Sequence, residues 1–209
     1  MKERETAQAG GVSAILMGAG FSRRYGGENK LLVPFRGKAL ARHALDLACG
    51  LNVPSRDMAP VFSSIFFIVA DERAASLADG LPVTVIRNGA PYKGRRESAR
   101  LGVEAAAGSD YYLFFHCDQP LLDADTVFKI MAARRPGKIV EPYCQGRAGS
   151  PSLFSSAFRD MLLTLGEGES PKTIKTRYPD SVIKIEIANP LALMDVDTPQ
   201  DWEKLPPAI

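Results

Sequence analysis

Short apolar, β-rich runs alternate with helical patterns along almost the whole chain, and this alternation restricts the fold more than any other feature. Ser13–Met17 (SAILM) reads as a first strand. Ser64–Ala70 (SIFFIVA) and Tyr111–Cys117 (YYLFFHC) are continuous apolar runs, the pattern of strands buried on both faces. Val83–Arg87, Lys138–Tyr143 and Val182–Ile187 read as further strands. Between them, Lys38–Cys49 has apolar residues at three-to-four spacing with Gly50 as a stop signal. Helices are also expected over Asp71–Ala78, Glu97–Ala107 and Asp123–Arg134, around Ser155–Leu165 and over Pro199–Leu205, with Trp202 packing the last one onto the sheet. The predicted fold class is α/β, a three-layer structure in which a mostly parallel twisted sheet carries helices on both faces. Ligands in such sheets bind outside the C-terminal strand ends, so the loops after Met17 and Cys117 are the first places to look.

Composition limits the alternatives. With 45% hydrophobic and 24% charged residues the chain is an ordinary globular one, and its length suits a single domain, expected over residues 12–209 behind a disordered tail at 1–11. A net charge of +2 is too balanced for an electrostatic nucleic-acid binder. The apolar stretch Val61–Ala70 is about half a membrane span, and the polar N-terminus lacks the apolar core of a secretory signal. Cys49, Cys117 and Cys144 are odd in number and widely spaced, and only His43 and His116 accompany them. A disulfide framework or a zinc site is therefore not expected, and the reading is a cytoplasmic protein, monomeric by default. Gly50–Pro60 is an unusually long helix-to-strand connection, read as a tolerated insertion.

Three segments carry chemistry. Leu16–Leu32 (LMGAGFSRRYGGENKLL) follows the first strand. Its glycines let backbone N–H groups approach phosphate oxygens, while Arg24 and Lys30 supply positive charge. It is neither a Walker loop nor a dinucleotide fingerprint, since Gly18, Gly20 and Arg23 give GxGxxR, and an ordinary strand-to-helix turn is the alternative. His116–Leu121 (HCDQPL) places Asp118 just past a buried strand, where it could hold Mg²⁺ or merely cap a helix. Asp195–Asp201 (DVDTPQD) puts Asp195 and Asp197 on one side of an extended segment before a helix starting at Thr198-Pro199, again with capping as the alternative. His116 reads as a satisfied strand-end histidine and Cys117 as a small buried residue. The four basic residues of Lys93–Arg100 suit either a solvated helix start or guidance of an anionic substrate.

Together these segments resemble the MobA/MocA-like nucleotidyltransferases, which attach a nucleotide to molybdopterin. Leu16, Ala19, Gly20, Ser22, Arg24, Gly26, Lys30, Leu31 and Leu32 fit that family's opening motif; Asp118, Gln119 and Pro120 fit its DQP; and Asp195, Asp197, Thr198, Pro199 and Asp201 fit its DxDTPxD. Pro142–Phe154 looks like its PxxGxxGxPxLF segment, and Asn88, Gly94, Ser98 and Gly102 match a further stretch. Gly18 stands where a second small Ala is usual, the Gly26-Gly27 pair lengthens the loop, and Glu167 replaces Asp in a turn at Leu165–Thr173. The resemblance implies a Rossmann-like fold of the nucleotide-diphospho-sugar transferase type. It also implies Mg²⁺-dependent transfer (Mn²⁺ as a possible substitute) from a nucleoside triphosphate to the terminal phosphate of molybdopterin, with the cytidylyltransferase branch favoured and GTP as the alternative donor. The implied roles are metal binding by Asp118, Asp197 and Asp195; triphosphate contacts by Lys30 and Arg24; and nucleotide binding by Leu16, Gly18, Ala19, Gly20, Ser22, Asn88 and Ser98. A molybdoenzyme or its maturation factor would be a transient partner. A non-catalytic nucleotide-binding delivery module is the competing class, and an NAD-type oxidoreductase is disfavoured by the broken glycine motif.

Overall fold

The apolar runs become the strands of one sheet. The structure is a computed structural model and describes residues 11–20, 29–54 and 60–206. The strands are β1 (Val12–Gly18), β2 (Pro34–Phe35), β3 (Lys38–Ala39), β4 (Ser64–Val69), β5 (Thr84–Arg87), β6 (Tyr111–His116), β7 (Ile139–Cys144), β8 (Arg147–Ala148), β9 (Ser152–Ser155) and β10 (Val182–Glu186). The helices are α1 (Leu40–Leu51), α2 (Glu72–Ala75), α3 (Arg95–Ala105), α4 (Ala124–Ala132), α5 (Arg159–Leu163), α6 (Pro171–Arg177) and α7 (Pro199–Trp202). The main sheet has the order β10-β7-β9-β6-β1-β4-β5, with β8 paired on β7. Pairing is parallel between β1 and both β4 and β6, between β4 and β5, and between β7 and β10; β9 runs antiparallel to β6 and β7.

The expected three layers are present. On one face, Ala14, Leu16, Phe67, Leu113 and Phe115 pack with Ala41, Ala44 and Leu45 of α1 and Val127 and Ile130 of α4. On the other, Ile15, Ile68, Tyr112, Phe114 and Phe154 meet Ala99 and Val103 of α3, Leu162 of α5 and Ile174 of α6. Gly102 lets α3 lie against β1, because a Cβ there would fall 2.4 Å from Ile15 Cγ2. From β1 the chain builds outward through β4 to β5, then returns to place β6 on the opposite side of β1. The order of winding thus reverses between β1 and β6, which opens a crevice at their C-terminal ends.

Several boundaries differ from expectation. Helix α1 begins at Leu40, because Lys38–Ala39 pair with Pro34–Phe35 in a small hairpin. It runs through Gly50, the predicted stop, to Leu51, and the C-cap Asn52 accepts at Oδ1 from Phe62 N at 2.7 Å. Within the predicted Gly50–Pro60 loop, residues 55–59 lie outside the described residues. Helix α3 starts earlier than predicted, at Arg95, directly after Gly94 with φ +75°. The Ser155–Leu165 helix opens as a 3-10 turn at Ser156–Phe158 before α5. Strand β9 and helix α6 were not foreseen. Trp202 does not pack onto the main sheet as expected: its ring lies 5.8 Å from that of Phe35, against a small separate core of Phe35, Leu40, Val196 and Leu205. No helix among the described residues is long and apolar enough to cross a membrane.

Candidate active site

The crevice is where three distant stretches of chain meet. The first continues from β1 through Ala19 and Gly20; further on, Lys30 opens a 3-10 turn (Lys30–Leu32). That turn is fixed from both sides. Asn29 Oδ1 accepts from Leu31 N at 3.1 Å, and Asn29 Nδ2 donates to Asp71 Oδ2 at 2.8 Å. Asp71 caps α2 through Ala74 N at 2.8 Å, so the helix start after β4 holds the turn that carries Lys30. Asp71 follows a buried strand just as Asp118 does, and that placement was the signal from which it could have been found.

The second stretch leaves β6 at His116 and turns through Cys117, which is 1% exposed and whose thiol burial pushes well above its usual range. Asp118 comes next. The third is the segment Met194–Thr198, tied to the second by Val196 N, which donates to the Asp118 carbonyl at 2.9 Å. Gln119 adds a bond from Nε2 to the Leu193 carbonyl at 3.3 Å. Thr198 caps α7 and forms a capping box with Asp201. Asp201 Oδ2 accepts from Asp197 N at 3.0 Å, Thr198 N at 2.8 Å and Thr198 Oγ1 at 2.9 Å. Capping and presentation of Asp197 are therefore one arrangement, not alternatives.

Charge converges where these stretches touch. Lys30 Nζ donates to Asp118 Oδ2 at 2.7 Å, Asp197 Oδ1 at 2.8 Å and the Val196 carbonyl at 2.8 Å. The side chains of Lys30 and Asp118 are 12% and 13% exposed, against 40% for Asp197. Burial works against the Lys30 charge, but the Asp118 and Asp197 carboxylates outweigh it and its pKa lies above the ordinary value.

A divalent cation fits beside this cluster. Asp118 Oδ1 is buried and has no hydrogen-bond partner among the described residues. Ligand atoms of His116, Asp118 and Asp195 lie within 4.8 Å of one another. His116 was read as a satisfied strand-end residue. Its ring does meet the Ser150 hydroxyl at 3.2 Å, yet Nδ1 also stands 3.9 Å from Asp195 Oδ1. The structure thus brings Asp118 and Asp195 together as expected and adds His116, while the Asp197 carboxylate is engaged by Lys30.

The remaining predicted residues divide by role. The Leu16 side chain is fully buried, which leaves only its backbone to a ligand. Gly18 explains its own departure from the family pattern: a Cβ would come 2.4 Å from Phe67 Cε2 and 3.1 Å from the Ile68 carbonyl. Ala19 is buried and Gly20 exposed. Ser22 and Arg24 lie outside the described residues. Asn88 and Ser98 are buried against each other, with Asn88 Nδ2 donating to Ser98 Oγ at 3.1 Å and Asn88 Oδ1 accepting from Ala90 N at 2.9 Å, and so they brace the turn between β5 and α3. In the basic stretch, Arg100 pairs with Glu97 and Glu104 on its own helix.

The family model for the MobA-like NTP transferase domain matches residues 14–181. Among curated proteins, the nicotine blue oxidoreductase of Paenarthrobacter nicotinovorans is 24% identical over 93% of this chain and 96% of its own. A molybdenum cofactor guanylyltransferase of Shewanella sp. (strain W3-18-1) is likewise 24% identical, over 93% and 95%. Among solved structures, a nucleotidyl transferase from Methanothermobacter thermautotroptrophicus superposes with a TM-score of 0.78 at 19% identity, covering 92% of this chain and 94% of that one. A manganese complex of Rv0371C from Mycobacterium tuberculosis H37Rv gives 0.69 at 19%, over 93% and 97%.

Proposed function

The chain belongs to the MobA-like NTP transferase family and is a nucleotidyltransferase, and we propose that it transfers the nucleotidyl group of CTP to the terminal phosphate of a molybdopterin-type acceptor, releasing pyrophosphate. The observation that carries this reading is the meeting of Lys30, Asp118 and Asp197, with a buried Asp118 oxygen left open beside His116 and Asp195. A binding module has no use for so much compensated charge at one point. CTP is preferred on the Asp118-Gln119-Pro120 and Gly149–Phe154 motifs. The guanylyltransferase relative makes GTP the competing donor.

The acceptor phosphate is already anionic at neutral pH, so no general base is required, and positioning with charge neutralisation supplies the rate. When bound, Mg²⁺ supplies a positive centre that draws phosphate oxygens together and offsets charge on the reacting phosphorus; Asp118 and Asp195, with His116, would hold it. Lys30 moves from its carboxylate partners to the triphosphate and steadies the departing pyrophosphate. Backbone N–H groups near Gly18–Gly20 hold the nucleotide, and the Asn88–Ser98 bond keeps the neighbouring turn in place. The capping box at Thr198 and Asp201 fixes where Asp197 stands.

The test is thermal denaturation with CTP or GTP, with and without Mg²⁺, on the wild type and Asp118→Ala, followed by pyrophosphate release with a molybdopterin acceptor. A nucleotide at 100 times its Kd adds about 2.7 kcal/mol, a rise of roughly 5–10 °C in a chain of this length. A Mg²⁺-dependent shift with CTP that Asp118→Ala loses is expected. A shift with GTP alone would replace the donor. NADH oxidation without pyrophosphate release would instead place the chain with its oxidoreductase relative.

A further inference from the structure

The sheet face under α3, α5 and α6 is apolar across Ile139, Phe154, Tyr112, Phe114, Ile15 and Ile68, yet a buried acidic residue lies within it. Glu141 on β7 is 5% exposed. Its Oε1 accepts a hydrogen bond from Lys175 Nζ of α6, and Lys175 also donates to Ser152 Oγ at 3.0 Å. Ser152 pairs directly with Phe114 on β6. An ion pair buried this deeply does no better for stability than apolar side chains of the same size, so a strut between helix and sheet does not account for it.

The pair is also incomplete. Among the described residues no hydrogen bond engages Glu141 Oε2, and Lys175 directs only two of its three N–H groups to protein partners. Both side chains line a cavity of about 260 Å³, walled in part by Phe114 and Phe154 and reaching Asp195 and His116. Phe114 stands two residues before His116 on β6, so the Glu141 end lies about 6.6 Å along the strands from the candidate metal ligands. A carboxylate oxygen and an ammonium proton thus face one slot, flanked by aromatic rings, one short step from the reacting centre.

On the footing of the transferase reading above, we propose that Glu141 and Lys175 recognise the ring of the acceptor: a phosphorylated 2-amino-4-oxo heterocycle of the pterin type. Its adjacent N–H donors meet the Glu141 carboxylate, its carbonyl accepts from Lys175, and its phosphate extends toward Asp195. Neighbouring N–H donors on a carboxylate make charge-assisted, paired hydrogen bonds. A ring lacking them leaves that carboxylate buried and unmatched, which is how polar sites reject analogues. Guanine has the same edge, but most of the cavity wall comes from β6, β7, β9 and α6, and only Met17 of β1 and Arg95 of α3 come from the side where the glycine-rich loop leaves β1 and Asn88 follows β5. The acceptor is therefore the occupant.

The experiment is a fluorescence titration with neopterin 3′-monophosphate in the presence of Mg²⁺ and a non-hydrolysable nucleotide analogue. It compares wild type, Glu141→Gln and the double variant Glu141→Met/Lys175→Met, which leaves no lone buried charge. Thermal shift with the nucleotide alone is read on the same samples. Expected is binding by the wild type, weakened about 10- to 100-fold in both variants, as for lost hydrogen bonds to charged groups, with nucleotide shifts unchanged and no displacement by glycerol phosphate. Equal pterin binding by all three proteins would overturn the proposal and leave the pair a strut. So would loss of nucleotide binding in place of pterin binding, which would assign the slot to guanine. Absence of pterin binding by a wild type that still binds nucleotide would also overturn it while the transferase reading stands; absence of nucleotide binding would instead strike that reading.

Discussion

Replacing Lys30 by Met should make metal-free protein markedly less stable yet more responsive to divalent cations. The ammonium is the counter-charge for Asp118 and Asp197, at 2.7 and 2.8 Å. Removing one partner of a buried pair costs about 3–5 kcal/mol. Asp118 is 13% exposed and should feel most of that, while Asp197, 40% exposed, is partly screened. A loss of about 2–4 kcal/mol is the reasonable expectation once the exposed half is discounted. At about 2–4 °C per kcal/mol for a chain of this size, the melting temperature in EDTA should fall by roughly 5–15 °C. Added Mn²⁺ or Mg²⁺ then meets Asp118 without an ammonium competing for it, so it should raise the melting temperature of Lys30→Met more than that of wild type. Transfer activity should remain low in either metal, since nothing replaces Lys30 at the triphosphate. Calorimetry with and without EDTA gives the answer. A variant as stable as wild type in EDTA, or one that gains less from metal, would refute the idea that Lys30 and a metal both serve the Asp118 carboxylate.

Asp201→Asn should cost about 0.3–1 kcal/mol by removing the negative charge at N3 of the capping box and reduce activity further by loosening Asp197, measurable as a fall in kcat larger than the stability loss explains. Lys204 and the Thr198 and Asp197 donors hold the Asp201 carboxyl well below its usual range; its contribution is present above the ordinary carboxylate pKa and is lost as pH falls through the depressed folded value, so an acid titration of Asp201→Asn should be flatter than that of wild type at its acid end. Gly102→Ala should destabilise by about 1–3 kcal/mol through its clash with Ile15, seen in denaturant melts with nucleotide affinity unchanged in the folded fraction. His116→Asn exchanges an imidazole for an oxygen and should shift metal preference from Mn²⁺ toward Mg²⁺, read from activity ratios in the two metals.

Much of this arrangement was legible in the sequence because burial on both faces leaves a plain mark. SIFFIV and YYLFFH could hardly be anything but central strands, and Asp118 and Asp197 stood where strand ends and a Pro-started helix expose carboxylates. Strand β9 was missed because SLFS is short and follows a Ser-Pro step, and its antiparallel direction depends on partners remote in sequence. Helix α6 is marked by Ser170 and Pro171, a cap and a first-turn proline, but Pro171–Arg177 buries only Ile174 and so shows no apolar periodicity. The hairpin of Pro34–Phe35 with Lys38–Ala39 took the first two residues of the predicted α1, a local choice no helical periodicity records. His116 has no mark in the sequence beyond its place at a strand end. The ring's proximity to Asp195 is a product of the fold, since those residues belong to separate stretches.

The bond between Val196 N and the Asp118 carbonyl has a bearing on the order in which this protein becomes competent. Lys30 and Asp197 are 167 positions apart, among the most non-local pairings in the chain, and loop closure of that span comes at a cost in chain entropy that only an already formed sheet can offset. Strands β1, β4, β5 and β6 can assemble around their own apolar faces before the Asp195–Asp201 segment has a surface to dock on. The charge cluster should therefore be completed late in refolding. Nucleotide binding should appear after the far-UV signal has recovered, so the site reports that the whole chain has arrived.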